Sequence, residues 1–209
     1  AGLYPWIREG RIAVLCRRCD EKALAEIVKR GLMDEKRIVR IGLACSKDQI
    51  ARCRCADPVP SAVDIGEPNA PATRDDLMER LLKLPPEERL RFWVGQFRKC
   101  NKCFGCTVNC PVCFCEECVL EERTFVAERS IPPGLSFHLI RAYHLSDKCI
   151  ECGECERCCP GDIPLLTLRK MMAKDMKDLY GFAPGDAKTT SPLLTTLDDE
   201  PLGEECREC

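Results

Sequence analysis

Two cysteine runs with the same spacing constrain this 209-residue chain more than any other feature. The first is Cys100-Asn-Lys-Cys103-Phe-Gly-Cys106-Thr-Val-Asn-Cys110-Pro, and the second is Cys149-Ile-Glu-Cys152-Gly-Glu-Cys155-Glu-Arg-Cys158-Cys159-Pro. Three thiols at this spacing can wrap three corners of one cubane centre. The fourth leaves in another direction, and the proline after it stops the chain from folding back. The fold must therefore bring the two runs close together.

Both runs fit C-x2-C-x2-C-x3-C-P, the bacterial ferredoxin spacing, in which the fourth cysteine of each run binds the other cluster. We therefore predict two [4Fe-4S] clusters with crossed ligands. One is assigned to Cys100, Cys103, Cys106 and Cys159, and the other to Cys149, Cys152, Cys155 and Cys110. Cys158 is the intervening residue of the second run and is left out. Zinc is the alternative, because C-x2-C pairs also form zinc sites, but zinc does not require a trailing Cys-Pro.

The cysteine content is 19 of 209 residues, a level that indicates either a disulfide-dense secreted domain or a thiolate metal protein. The odd number of cysteines and their tight C-x-x-C runs favour metal binding. No signal-peptide pattern opens the chain, so we expect a cytoplasmic location.

A second group of cysteines lies in the N-terminal region. Arg11–Cys16 and Arg37–Cys45 read as strands on either side of a helix that Asp20 can cap and Gly31 can end. Strand, helix and strand predict a parallel pair, whose following turns lie at one edge of the sheet. We therefore predict a third [4Fe-4S] cluster on Cys19, Cys45, Cys53 and Cys55. Cys16 would be a spare ligand, and unligated buried thiols or a zinc site are the alternatives.

A third group follows the first run directly, as Cys113-Phe-Cys115-Glu-Glu-Cys118. Three thiols within six residues indicate a further metal site, which would make a fourth cluster. The group lacks an obvious fourth ligand, for which the candidates are Cys16, Cys158, Cys206 and Cys209.

The remaining pattern is helical, which predicts an α+β fold with a small α/β unit followed by an α-helical ferredoxin-like dicluster domain. The predicted boundaries are 1–57 for the cysteine-bearing α/β unit, 58–73 for a linker, 74–181 for the dicluster domain and 182–209 for an extended tail. Within the dicluster domain, Pro86 opens a helix that leads into Cys100, Leu135–Leu145 forms a helix between the runs, and Pro164 opens a helix that Gly181 ends.

The charge balance excludes several classes of partner. Lys and Arg total 32, and Asp and Glu total 34, so nothing indicates a nucleic-acid surface. No apolar run approaches the roughly 20 residues that span a bilayer. His138 and His144 lie around one predicted helix, and no acid-base or nucleophile constellation accompanies them.

The cysteine-rich stretches resemble iron–sulfur subunits of the formate dehydrogenase and F420-reducing hydrogenase beta-subunit group. The resemblance rests on RCDEKAL (18–24), IGLAC (41–45), CRC (53–55), CNKCFGCTVNCPVCFCEEC (100–118), FHLIRAYHL (137–145) and CIECGECERCCPGDIPL (149–165). It implies an electron conduit between redox subunits of an anaerobic complex. The helices around the two runs also resemble the α-helical ferredoxin module of succinate dehydrogenase and heterodisulfide reductase subunits.

We predict a subunit without substrate chemistry of its own, which relays single electrons through [4Fe-4S] clusters between catalytic and flavin- or cluster-containing partner subunits. Longer members of the group bind flavin or F420, but this chain shows no flavin-binding loop, and we expect no flavin on it. Two other functions stay open. The chain could contribute a flavin or F420 substrate site, or zinc could organise an interaction module.

Overall fold

A computed structural model describes residues 10–72, 74–115, 117–122 and 130–193. Its elements are β1 (Ile12–Cys16), α1 (Arg18–Lys29), β2 (Ile38–Gly42), α2 (Lys47–Cys53), α3 (Asp76–Leu82), α4 (Pro86–Phe97), α5 (Gly105–Val108), α6 (Leu135–Tyr143), α7 (Glu154–Arg157) and α8 (Leu165–Tyr180). A 3-10 turn over Glu35–Arg37 precedes β2. This mixture agrees with the predicted α+β class. None of the helices in these ranges has the length and apolar character needed to cross a bilayer.

The two strands form the predicted parallel pair, with α1 as the crossover between them. The register runs from Ile12 opposite Ile38 to Cys16 opposite Gly42. Segment 60–65 closes over the end of β2, where the amide of Gly42 donates to Asp64 at 2.7 Å. A Cβ atom on Gly42 would lie 1.7 Å from the carbonyl oxygen of Ala62. Glycine is therefore the residue that permits this close approach.

The ends of α1 show where local sequence signals succeed and fail. Asp20 was predicted to cap this helix, but the N-cap residue is Arg17. Asp20 is the third residue of the helix, and its carboxylate accepts a hydrogen bond from the Arg17 amide at 2.9 Å. The cap lies earlier because Arg17 is extended, with φ −76° and ψ 171°. At the other end Gly31 has φ +67°, and its amide donates to Val28 while the next amide donates to Ile27. These bonds form the predicted glycine stop.

Helices α3, α4 and α8 pack around a core that contains Leu81, Trp93, Phe97, Ile163, Leu165 and Met171. Four cysteines of the two runs pack against it: Cys100, Cys106, Cys155 and Cys159. Helix α4 begins at Pro86 and α8 ends before Gly181, as predicted. The helices before and after the runs thus place the runs at the edge of one apolar core.

Helix α6 lies between the runs, as the pattern in Leu135–Leu145 predicted. Its buried face carries Phe137, His138, Arg141 and Ala142, whereas Leu139 is 55% exposed. The ring of Phe137 meets that of Phe104, from the first run, at a centroid distance of 5.7 Å. Helix α6 is therefore packed directly against the first cysteine run.

Ion pairs join the N-terminal unit to the helical region. Arg54 follows α2 and pairs with Glu156 on α7 at 3.0 Å. Arg30 follows α1 and pairs with Asp147 at 3.1 Å, and Asp147 in turn accepts from Ser191 at 2.9 Å. These contacts bring the cysteines of the N-terminal unit next to those of the second run.

Candidate metal centres

The two cysteine runs follow the same backbone path. In the first run Lys102 and Phe104 both have φ +57°, and the equivalent Glu151 and Gly153 of the second run have φ +56° and +79°. One-turn helices follow, α5 after Phe104 and α7 after Gly153. Left-handed residues at two matched positions turn each run sharply, so the thiols of each run can face a common centre.

We call the thiols of Cys100, Cys103, Cys106 and Cys159 the first ferredoxin site. All four line one cavity, together with Phe137, His138, Arg141 and Arg169. Cys159 comes from the second run, so the structure places this set together as the crossed pattern requires. The amide of Lys102 donates to the Cys100 sulfur at 3.4 Å.

The second ferredoxin site consists of Cys110, Cys149, Cys152 and Cys155, and these four also line one cavity. Val112, Leu145 and Leu166 provide apolar walls. Cys110 reaches this cavity from the first run. Cys158 lines neither of the two cavities, and its sulfur donates to the Cys155 carbonyl at 3.6 Å.

The N-terminal site consists of Cys19, Cys45, Cys53 and Cys55, which line a cavity of about 170 Å³. Cys19 lies in the first turn of α1, Cys45 follows β2, and Cys53 and Cys55 flank the left-handed Arg54. Cys16 does not line this cavity. It is fully buried between Leu24 and Ile38, and its sulfur donates to the Val14 carbonyl at 3.3 Å.

The Cys113 group consists of Cys113, Cys115 and Cys118, which line a more open cavity with Glu117, Glu121 and Glu122. Among the residues that the structure describes, no fourth cysteine lines it. Cys206 and Cys209, two of the predicted fourth ligands, lie outside the described ranges. A guanidinium nitrogen of Arg141 donates to the Cys113 sulfur at 3.7 Å.

Burial is the largest influence on the pKa of three thiols at these sites. It raises the pKa of Cys149 to about 11, and those of Cys155 and Cys19 to about 12. Backbone hydrogen bonds act in the opposite direction, as at Cys149, where the residue 151 amide lowers the thiol pKa. Because the thiolate is the form that binds metals, a metal centre at these sites would displace protons as it binds.

The cysteines in the described ranges are all free thiols. Within the same ranges, no three side chains of Cys, His, Asp or Glu converge as ligands of a single metal ion would. The four-cysteine sets instead surround cavities.

Neighbouring cavities share walls. Cys152 lines the cavities of both the N-terminal site and the second ferredoxin site. Arg169 lines those of both ferredoxin sites. Arg141 lines the first ferredoxin cavity and contacts Cys113. The sites therefore follow one another in the order N-terminal, second ferredoxin, first ferredoxin and Cys113 group.

Sequence reasoning missed three arginines at these sites. Arg157 donates to the Cys53 sulfur at 3.0 Å and to the Cys152 carbonyl at 2.9 Å, so it links two sites. Arg141 and Arg169 are 5% and 3% exposed. A signal was present for Arg169, because it lies four residues after Leu165 on the apolar stripe of α8.

No protein-family model matches the chain. The chain is 43% identical over 106 residues to a protein of Methanocaldococcus jannaschii named F420-dependent formate dehydrogenase subunit beta. That match covers 50% of this chain and 28% of that protein. It is 41% identical over 104 residues to the F420-dependent formate dehydrogenase 1 subunit beta of Methanococcus maripaludis, and that match covers 49% of this chain and 26% of that protein.

A weaker similarity, 29% identity over 96 residues, links the chain to an acetyl-CoA decarbonylase/synthase complex subunit alpha 1 of Methanosarcina acetivorans. That match covers 46% of this chain and 10% of the relative. The chain thus spans about a quarter of the formate dehydrogenase subunits that it matches. At this identity, half of the chain is related to the beta subunits of F420-dependent formate dehydrogenases, which confirms the resemblance to that group.

Proposed function

We propose that this chain is an electron-transfer subunit that holds [4Fe-4S] clusters at the two ferredoxin sites and the N-terminal site, within an anaerobic oxidoreductase complex. The observation that supports it most strongly is the grouping of the cysteines. Each set of four predicted from spacing lines a cavity of its own, including the exchange of Cys110 and Cys159 between the runs.

The thiol arrangement fits a cluster better than a single zinc ion. With Zn–S bonds of about 2.3 Å, the four sulfurs of a tetrahedral zinc site lie about 3.8 Å apart. In the described ranges, no three potential ligands converge in that way, and the thiols border cavities instead. A cubane cluster has its thiolates around a larger cage, so thiols that line a cavity favour a cluster over a single ion.

When bound, such clusters supply reversible one-electron storage. The protein's part is to hold, shield and tune them. The second ferredoxin site is shielded by Val112, Leu145 and Leu166, and the first by Phe137. Amide donors to sulfur, such as Lys102 to Cys100, favour the charged state of the ligands. The helices around the runs support the α-helical ferredoxin module predicted from the sequence.

Shared walls support a linear relay. The order of the sites means that electrons would enter and leave near the ends, at the N-terminal site and at the Cys113 group. The relatives are subunits by name, of formate dehydrogenases and of an acetyl-CoA decarbonylase/synthase complex. We therefore propose that catalytic and flavin- or cluster-containing subunits dock at the two ends and carry out the substrate chemistry.

The test is the iron, acid-labile sulfide and zinc content of the anaerobically purified chain. About eight iron atoms indicate two filled clusters, about twelve add the N-terminal site, and about sixteen add the Cys113 group, at four per cluster. Stoichiometric zinc with little iron would contradict the proposal and favour a zinc-organised module. A bound organic chromophore would favour the alternative of a flavin or F420 site.

A pair of variants tests the crossed ligands. Cys110→Ser removes a thiol of the first run, yet it should disturb the electron paramagnetic resonance (EPR) signal of the second ferredoxin site. Cys158→Ser is the matched control in the other run and should leave iron content and both signals unchanged. Loss of the first site's signal in Cys110→Ser would rule out the exchange.

A further inference from the structure

Two buried arginines have no acidic partner among the residues that the structure describes. Arg141 and Arg169 are 5% and 3% exposed. Within the described part of the chain, no Asp or Glu forms an ion pair with either of them. One nitrogen of Arg169 donates to the carbonyls of Arg141 and Ala142 at 3.4 and 3.2 Å. The Nε atoms of both arginines are buried without a hydrogen-bond partner.

Such a pair is costly, because a buried charge without a counter-charge is strongly destabilising. The other cations that are almost buried here are paired. Lys29 and Arg30 both bind the Glu26 carboxylate, and Lys170 lies 3.4 Å from Asp75. Among the described residues, Arg141 and Arg169 therefore lack the anionic partner that the other buried cations have.

Both arginines line cavities that cysteine thiols also line. Arg169 lines the cavities of both ferredoxin sites, and Arg141 lines that of the first. Arg141 also donates to the Cys106 carbonyl and, at 3.7 Å, to the Cys113 sulfur. Glu151 is an acidic residue in the wall of the second cavity, and no ion pair joins it to Arg169.

We propose that Arg141 and Arg169 are built-in counter-charges of the two ferredoxin-type clusters and raise their reduction potentials. The proposal rests on the proposed function, because it requires clusters at both sites. Four thiolates give each site an excess of negative charge, and this charge would balance the positive charges of the two arginines. One-electron reduction adds a further negative charge and neither forms nor breaks a bond. A fixed positive charge in a poorly polarisable interior stabilises the reduced form more than the oxidised form.

The test is a reductive titration with dithionite as electron donor, followed by EPR, on the full-length wild-type protein and on Arg169→Met. Because Arg169 lines both cavities, both cluster signals should move. We expect at least a tenfold fall in the ratio of reduced to oxidised cluster at a given potential, which corresponds to about 59 mV for one electron. Arg141→Met should mainly affect the first site.

Two variants control for structure. Arg169→Lys keeps the charge and should restore most of the shift. Arg91→Met removes an exposed arginine of α4 and should leave both potentials unchanged. The shift in Arg169→Met should also persist at high salt, because ions screen buried charges weakly.

The outcomes separate the two proposals. Full iron content with unchanged potentials in Arg169→Met would overturn the counter-charge role and leave the electron-transfer function intact. If Arg169→Met loses iron and Arg169→Lys keeps it, the charge is required and the inference holds. If both lose iron, Arg169 acts through its hydrogen bonds, and the inference fails. Wild-type protein without iron would refute the function itself.

Discussion

Residues with positive φ give the two cysteine runs their common path, and one of the matched positions is Phe104 in the first run and Gly153 in the second. Phe104 adopts the left-handed conformation, which is strained for a residue with a side chain, and its ring packs against Phe137. Gly153 has no side chain, and a Cβ there would lie 3.0 Å from a guanidinium nitrogen of Arg157. The same turn is thus made in two ways.

Gly153→Ala should therefore destabilise the protein by about 1 kcal/mol, because the left-handed region is unfavourable for alanine. Gly95→Ala is the matched control. Gly95 lies within α4, and a Cβ atom at this position would meet no other atom within 4 Å, so alanine should stabilise the helix by about 0.5–1 kcal/mol. Anaerobic thermal unfolding followed by circular dichroism measures both. Equal melting temperatures for the two variants would contradict this prediction.

At this scale, the cysteines that spacing assigned to one site line one cavity, and their role as ligands stays a prediction. The spacing of a short loop limits which sulfurs can share a centre, so local sequence carries the information. Arg141 and Arg169 escaped prediction because an arginine in a helix is usually exposed. The position of Arg169 on the apolar stripe of α8 indicated its burial, but only the packing of α6 and α8 shows that neither arginine has a carboxylate partner among the described residues.

Among the elements, α8 depends on a neighbour for its first turn. Its N-cap is Pro164, which makes no side-chain cap. Glu156 on α7 replaces that cap, since its carboxylate accepts from the Leu166 amide at 2.9 Å. The same carboxylate pairs with Arg54 at 3.0 Å. One side chain thus joins α8, the second cysteine run and the N-terminal unit.

Glu156→Ala should lower stability by about 2 kcal/mol, because a helix cap and a charge-assisted hydrogen bond are lost together. Glu156→Gln keeps one oxygen that can accept from the Leu166 amide, so its loss of stability should be about half that of Glu156→Ala. The control is Asp178→Asn, which breaks the exposed pair between Lys174 and Asp178 and should cost less than about 0.5 kcal/mol. Thermal unfolding again provides the measurement. If Glu156→Ala and Asp178→Asn behaved alike, the capping role would be wrong.

Helix positions were predictable and their packing was not. Pro86, Pro164 and Gly181 mark helix ends through their own backbone chemistry, so the sequence located α4 and α8. The buried face of α6 depends on what lies beside it, and Leu139 is exposed although it is apolar. Likewise, the sequence of segment 60–65 did not predict that this segment packs over the end of β2, because that packing depends on a tertiary contact with Gly42.

Across the whole molecule, the thiols of the two ferredoxin sites pack against apolar cores, whereas the Cys113 group borders a more open cavity. Cys100, Cys106, Cys155 and Cys159 pack against the core around Trp93. Cys19, Cys110, Cys149 and Cys152 pack against a second one around Val112 and Leu145. Metal binding at these thiols would therefore contribute directly to folding.

Removal of iron should accordingly destabilise the whole chain. After treatment with a chelator and an oxidant, we expect a lower melting temperature and a less cooperative transition. Reconstitution with iron and sulfide under reducing conditions should restore both. Circular dichroism and iron analysis on the same samples provide the measurement. An iron-free protein that melts at the original temperature would show that the thiol cavities are stable without metal.

The exchange of Cys110 and Cys159 between two runs of matching backbone also bears on ancestry. Each run supplies three thiols to its own cavity and one to its neighbour's. If the proposed clusters occupy these cavities, a polypeptide with a single run would hold three-quarters of a ligand set. It would become complete only by pairing with a second copy of itself, each lending a cysteine to the other. Joining two such copies end to end would make that mutual dependence permanent, and later divergence of either half would account for Phe104 in one run and Gly153 in the other.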